Sequence, residues 1–381
     1  MSPFAELTDY LDSLPQRYHI PGCDCVITHR GRAIYRHSAG FSDLAGTRPV
    51  SSRDTYWIYS ATKLFTCTAA LRLWDQGKLH LEDPVSLHLP EYEHLTVRDA
   101  DGTVRPMAAV PTVAQLMSMT GGLDYDLQRP GILAVQKLPP EEQTTRRFAA
   151  ALAADPWCFD PGTHFQYSLC HDVLGAVIEA ASGQSLHDYI RCAITEPLGM
   201  TDTTFHPSQE QLSRASAQFV HLDPQGRLAP CGSENSYRLS ERYDSGGAGL
   251  MSTVDDYIRL LSALSMGGVS AEGYRLLSAR AIETLAANRL TDAQLAEFRF
   301  RPAFAGYGYG LGVRTAVDSA LTGSFPGEFG WDGAAGAYTM VDPMHQTALY
   351  YAQQVLNSDR TYNEIHPTVR ALACREWAGL F

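Results

Sequence analysis

Lysine is nearly missing from this chain of 381 residues: Lys63, Lys78 and Lys137 are the only three among 30 basic residues, against 42 acidic ones. The formal net charge of −12 argues against nucleic acid or an anionic membrane surface as a partner. No stretch approaches the roughly 18 apolar residues that a membrane-spanning helix requires. Residues 1–12 lack the basic and apolar regions of a signal peptide and read as an amphipathic helix. The eight cysteines (23, 25, 67, 158, 170, 192, 231 and 374) follow no framework spacing. Together with the missing export signal, this predicts reduced thiols, a cytoplasmic protein and no membrane partner. His-Glu-x-x-His and close Cys/His clusters are absent, so no metal is expected. The glycine cluster at 246–249 lacks both the Lys-Ser/Thr of a phosphate loop and the spacing of a dinucleotide fingerprint, so no cofactor is expected. That cluster reads instead as a close backbone approach within a strand. Gly-x-Ser-x-Gly is absent too, which removes the nucleophile elbow of the α/β-hydrolases.

An apolar share of 45% and a charged share of 19% suit a globular enzyme, and the length suits one large or two closely packed domains. Cys23-Asp24-Cys25-Val26-Ile27-Thr28, a turn at Arg30-Gly31, and Ala33 to His37 predict a β-hairpin with both cysteines on one face. Residues 337–341 and 347–353 supply two further strands, and residues 368–377 an amphipathic helix packed on that sheet. Between about 65 and 240 the periodicity is mainly helical. The expected fold is α/β (α+β): an antiparallel sheet flanked by helices, formed by residues 1–64 and 241–381, with an inserted mainly helical domain at 65–240 and the cleft between them.

The strongest chemical signal is Ser60-Ala61-Thr62-Lys63, followed by apolar residues at helical spacing from Leu64 to Trp74. Positions i and i+3 of a helix share a face with Cβ atoms roughly 5–6 Å apart, so the lysine reaches the serine hydroxyl without tertiary help. Ser60 also lies near the helix start, at the positive end of the dipole. A serine alcohol is a weak nucleophile until a neighbour takes its proton, and a Ser-Lys pair achieves this without histidine. The competing reading is a capping serine beside a solvated lysine.

Two downstream segments supply partners. Tyr167-Ser168 follows the turn Asp160-Pro161-Gly162-Thr163 and precedes a helical run, and Phe329-Gly330-Trp331-Asp332-Gly333-Ala334 leads into a strand. Leu116 to Leu123, Glu196-Pro197-Leu198-Gly199-Met200, Gly246 to Asp256 and Tyr307 to Gly312 add further landmarks in order. Together they resemble the serine β-lactamase and penicillin-binding-protein superfamily, in its class C-like esterase branch (family VIII-type carboxylesterases). The resemblance spans about residues 20 to 355 and implies the same sheet-plus-helical-insert fold.

The resemblance also implies roles. Ser60 would be the acylated nucleophile, with Lys63 and Tyr167 sharing its proton. The backbone N–H groups of Ser60 and Ala334 would form the oxyanion hole, with Gly333 allowing an edge strand close approach. Trp331 would wall the cleft, with Tyr125, Tyr243 and Phe329 in an aromatic pocket. Two departures bear on substrate. Leu169 replaces an asparagine whose amide contacts substrate and lysine, and Trp331 replaces the lysine of Lys-Thr-Gly. Both changes favour a neutral ester over a carboxylate-bearing amide. The expected activity is carboxylic-ester hydrolysis on a small-molecule substrate, with acyl transfer to an alcohol, β-lactamase or D-amino-acid peptidase (amidase) activity, and a silent scaffold as the alternatives. His164 and His171 flank Tyr167 and read as surface or satisfied-core histidines in preference to cleft groups.

Overall fold

The computed structural model describes residues 3–223 and 227–378. A seven-stranded antiparallel sheet takes strands from both ends of the chain: β1 (Gly22–His29), β2 (Arg32–Gly40), β3 (Tyr307–Tyr309), β4 (Arg314–Ala316), β5 (Phe329–Gly330), β6 (Tyr338–Asp342) and β7 (Thr347–Ala352). Their spatial order is β2-β1-β7-β6-β5-β4-β3. The expected hairpin is present, with Cys25 opposite His37. Its turn residues Arg30 and Gly31 both have positive φ (49° and 75°), the handedness that matches the twist of the flanking strands.

Alternation along the strands splits the interior into two layers. Cys23, Cys25 and Ile27 of β1, with Leu349 and Tyr351 of β7, face a core closed by α1 (Ala5–Tyr18) and the C-terminal helix α5 (His366–Ala378). Leu7, Leu11, Val369 and Trp377 of those helices are fully buried there. Val26, Ala348 and Tyr350 face the opposite core, against α4 (Val254–Ser265), where the Tyr257 and Tyr350 rings stack at 4.4 Å. On that side lie α2 (Thr62–Asp75) and α3 (Cys170–Ser182). Among the described residues no helix is long and apolar enough to cross a membrane.

The mainly helical stretch also holds short strands that its helical periodicity hides. Thr96–Arg98 pairs with Val104–Pro106, and Phe219–His221 pairs with Leu228–Pro230 and, in parallel, with Val355–Leu356. The Gly246–Gly249 cluster is a turn and not a strand; the strand begins after it, at Met251–Thr253, paired with Thr55–Trp57. Gly333 and Ala334, expected on an edge strand, lie instead in the connection between β5 and β6, and β5 itself is interior, flanked by β4 and β6.

Glu179, in the last turn of α3, accepts from Leu186 N at 3.0 Å. Burial, with the Asp244 charge nearby, raises its pKa from 4.5 to about 7. The folded protein therefore holds this proton more tightly than the unfolded chain does. Its contribution is fully present below about pH 4.5 and is lost as pH rises through about 7. Glu179→Gln keeps the acceptor and removes the titration, so the fall in Tm between pH 5 and pH 8 should be smaller than in wild type. An unchanged fall in a thermal-melt series would show that Glu179 does not titrate in this window.

Candidate active site

Ser60 is aimed by a reversal of the chain immediately before it. Thr55–Trp57 is pinned to Met251–Thr253, and Ile58 N donates to Leu250 O at 3.1 Å. Tyr59 then turns left-handed (φ 46°), a conformation that costs an L-residue roughly 1–2 kcal/mol. Its buried ring, edge-on to Tyr237 at 6.0 Å, and its hydroxyl, donated to the Gln218 side chain, hold it there. A single tight turn, Tyr59–Ala61, carries Ser60 into α2.

Lys63 follows one turn later and is completely buried, which removes the solvated-lysine reading. Its ammonium has three N–H donors and three acceptors: Gly247 O at 2.7 Å, Ser60 Oγ at 3.4 Å and the Tyr125 hydroxyl at 3.4 Å. Two stacked rings flank it, Tyr167 at 4.6 Å and Tyr125 at 5.3 Å from the nitrogen, with the ring centres 5.5 Å apart. The Tyr167 hydroxyl meets the third segment instead: the Trp331 indole N–H donates to it at 3.1 Å. Burial of the Tyr125 hydroxyl, next to Tyr167 and Asp172, pushes its pKa well above the ordinary tyrosine value, so it stays protonated and able to donate.

The Gly246-Gly247 turn brings its carbonyl to Lys63 because neither residue has a side chain. A Cβ on Gly246 would lie 2.3 Å from His171 O, and one on Gly247 would lie 2.6 Å from an Asp172 oxygen. Asp172 fastens the turn, since Oδ1 accepts from Tyr243 OH (2.6 Å), Ser245 Oγ (2.7 Å) and Gly247 N (3.4 Å). The third segment arrives in the same way: a Cβ on Gly333 would stand 2.4 Å from Ile58 O, at the foot of the turn that carries Ser60. The Ala334 carbonyl is tied back by Asn357 N and the Tyr362 hydroxyl, both at 2.9 Å.

Ser60, Tyr125, Tyr167, Trp331, Gly333 and Ala334 all line one cavity of about 290 Å³. Its other walls are mainly aromatic: Phe165, Tyr237, Phe298, Phe300, Phe304 and Tyr362, with Arg301, Asp332 and Asn357 the remaining polar groups. Leu169, Tyr243 and Phe329 are placed elsewhere. Leu169 is buried in the core at the start of α3, Tyr243 packs on Phe148 and donates to Asp172, and Phe329 is buried within the sheet. His171 is fully buried against Met117 O, and burial lowers its pKa to about 3; His164 is an exposed partner of Glu297. Tyr59, Asp172, Tyr237, Phe298, Phe304 and Tyr362 escape sequence reasoning because no motif marks them. The glycine cluster was the one available pointer, to Asp172.

Comparison with known proteins finds relatives along almost the whole chain. The family model described as Beta-lactamase matches residues 7–373. Esterase EstB of Burkholderia gladioli is 31% identical over 374 residues, covering 89% of this chain and 87% of its own. Two solved structures share the fold: simvastatin synthase LovD from Aspergillus terreus (TM-score 0.81, 20% identity, 100% and 99% of the two chains) and EstCE1, a hydrolase with promiscuous acyltransferase activity (TM-score 0.78, 23% identity, 97% and 98%).

Asp172 is not among the residues lining the cavity and is linked to Lys63 through the Gly247 turn that it fastens. Asp172→Ala should lower kcat by about 10²-fold with little change in KM, the size of effect expected from misplacing a reacting group by about 1 Å. Asp172→Asn, which keeps an acceptor, should recover most of the loss. Equal losses in kcat and KM, or no rescue by asparagine, would show that the residue only supports folding.

Proposed function

The chain belongs to the Beta-lactamase family, and on that premise we propose that it is a serine hydrolase cleaving carboxylic esters through an acyl-enzyme on Ser60. The observation that carries this reading is the buried Lys63 ammonium, held within 3.4 Å of the Ser60 hydroxyl at the wall of an aromatic cavity. The Ser60 oxygen attacks the ester carbonyl. Its proton passes to the Lys63–Tyr167 pair, which accepts it in the form that lacks one proton (amine with phenol, or ammonium with phenolate) and hands it to the departing alkoxide, leaving acyl-serine and free alcohol; water repeats the sequence and releases the acid. The Trp331 indole donates to the Tyr167 oxygen, whereas the Tyr125 hydroxyl stays protonated and accepts from Lys63. The tetrahedral oxyanion is received by the N–H groups of Ser60 and Ala334, both at residues on the cavity wall.

The reaction cleft is best understood as lying between a sheet unit (residues 1–64 and 241–381) and a helical unit (65–240). Ser60, Trp331 and Ala334 come from the first, and Tyr125 and Tyr167 from the second. The ester preference is supported by Leu169, whose burial leaves no amide side chain two places after Tyr167 to hold an acyl amide, and by the likeness to esterase EstB. Acyl transfer would use the same intermediate, with an alcohol replacing water in the second step.

Hydrolysis of 4-nitrophenyl butyrate and of a chromogenic cephalosporin, followed side by side, tests this reading. Wild type should turn over the ester far faster than the cephalosporin, and Ser60→Ala should abolish ester turnover. Ester hydrolysis surviving in Ser60→Ala would sink the mechanism, and faster cephalosporin cleavage would move the protein to the β-lactamase reading. Tyr167→Phe should cost about 10²–10⁴-fold, the usual share of general acid–base catalysis. Tyr125→Phe, which removes one hydrogen bond from Lys63, should cost about tenfold, roughly 1.4 kcal/mol. If Tyr125→Phe costs more than Tyr167→Phe, the two tyrosines exchange roles.

A further inference from the structure

One cation on the cavity wall has no part in the chemistry above. Arg301 lines the cavity that holds Ser60, on the segment between helix Asp292–Phe298 and the short turn Pro302–Phe304. Its guanidinium lies over the Tyr362 ring at 4.2 Å, with the Phe300 ring 5.3 Å away. Among the described residues its side chain makes no hydrogen bond and no ion pair within 4 Å.

The cavity's own carboxylate does not neutralise it. Asp332 is bonded to Arg314 Nη1 at 2.8 Å and lies 3.8 Å from His366 Nδ1. Arg314 itself is buried at 2% exposure, so that pair is closed within the protein. Burial alone would push the Asp332 carboxyl up, but Arg314, His366 and Arg301 outweigh it and hold it below the usual range. Arg301 thus faces the cavity with no carboxylate bonded to it, in a protein whose net charge is −12.

Position adds to charge. The Tyr362 hydroxyl donates to the carbonyls of Gly333 (3.1 Å) and Ala334 (2.9 Å). A single tyrosine ring therefore separates the guanidinium from the turn expected to hold the oxyanion. A flat guanidinium lying on a ring keeps its N–H edge directed outward, in the fork that matches a carboxylate. Aromatic walls elsewhere give the rest of a substrate an apolar seat.

We propose that the ester recognised by this cavity bears a carboxylate, received by Arg301 as a specificity-determining residue. This rests on the serine-esterase reading and reverses the expectation of a neutral ester drawn from Trp331: the cation absent from the third motif is supplied from a different segment. The carboxylate belongs to either the acyl or the alcohol half, and matched substrates separate the two. The acyl arm compares the 4-nitrophenyl monoester of glutaric acid with its methyl-capped neutral form. The alcohol arm compares 4-carboxyphenyl butyrate with its methyl ester.

The readout is the ratio of kcat/KM for the charged ester to that for its neutral partner. Replacing Arg301 by methionine keeps an apolar stem on Tyr362 and removes the charge. In one of the two arms this ratio should fall about tenfold, mainly through KM, as expected for a partly exposed charge pair. Arg301→Lys should retain most of the ratio, and added salt should shrink it in wild type but not in Arg301→Met. A ratio unchanged by Arg301→Met in both arms, or equal losses on charged and neutral esters, would overturn the proposal and make Arg301 a clasp for its segment. Failure of the underlying reading looks different: neutral-ester turnover would be absent, or would persist in Ser60→Ala.

Discussion

A lysine with no exposure to solvent must find acceptors for all three of its N–H groups, and the site is organised around meeting that demand for Lys63. The acceptors come from three separate parts of the chain: the serine one turn earlier, a tyrosine about 60 residues on, and a carbonyl about 180 residues on. Each must arrive at close range, and each arrival has its own device. The serine comes by helical spacing. The carbonyl comes on a turn stripped of side chains and fastened by the buried Asp172 carboxylate. The tyrosine comes as half of a stacked pair whose faces also attract the cation. Deleting any one of these would leave a buried charge short of a partner, which costs more than the deleted bond contributes.

What could be read from the sequence follows from how local each signal is. Ser60 and Lys63 are legible because helix geometry alone brings them together, and the β1–β2 hairpin because its turn and alternation lie within about 20 residues. Trp331 and Gly333 are legible through a resemblance in order and spacing. The roles of the tyrosines are not, because nothing local says which hydroxyl faces the lysine. Tyr167 lays its ring beside Lys63 and gives its oxygen to Trp331, whereas Tyr125 presents its hydroxyl. Tyr59 is invisible for another reason, since a tyrosine in the left-handed region runs against propensity and is held there only by tertiary contacts. Arg301 likewise reaches the cavity only because the segment after Phe298 folds back over Tyr362.

Trp331 shows how one exchange alters a cleft without dismantling it. An indole at this position brings one N–H donor and a broad apolar face instead of a charge. The donor is spent on Tyr167, and the face stacks on Phe304 at 5.9 Å and meets Tyr309 edge-on at 5.0 Å. The aromatic layer thus runs continuously from Tyr125 and Tyr167 beside the buried lysine to Phe304 on the outer wall.

The pairing of β1 with β7, Cys25 opposite Tyr351, has a consequence for the newborn chain. The β1–β2 hairpin emerges from the ribosome first, but the strand that covers its inner edge follows more than 300 residues later. At a synthesis rate of about 5–20 residues per second, that edge stays open for roughly 15–60 s. Ser60 and Lys63 also emerge well before the turn carrying Ala334 and the tyrosine that ties it back, Tyr362. The cavity around Ser60 is therefore incomplete until both of these segments have been made.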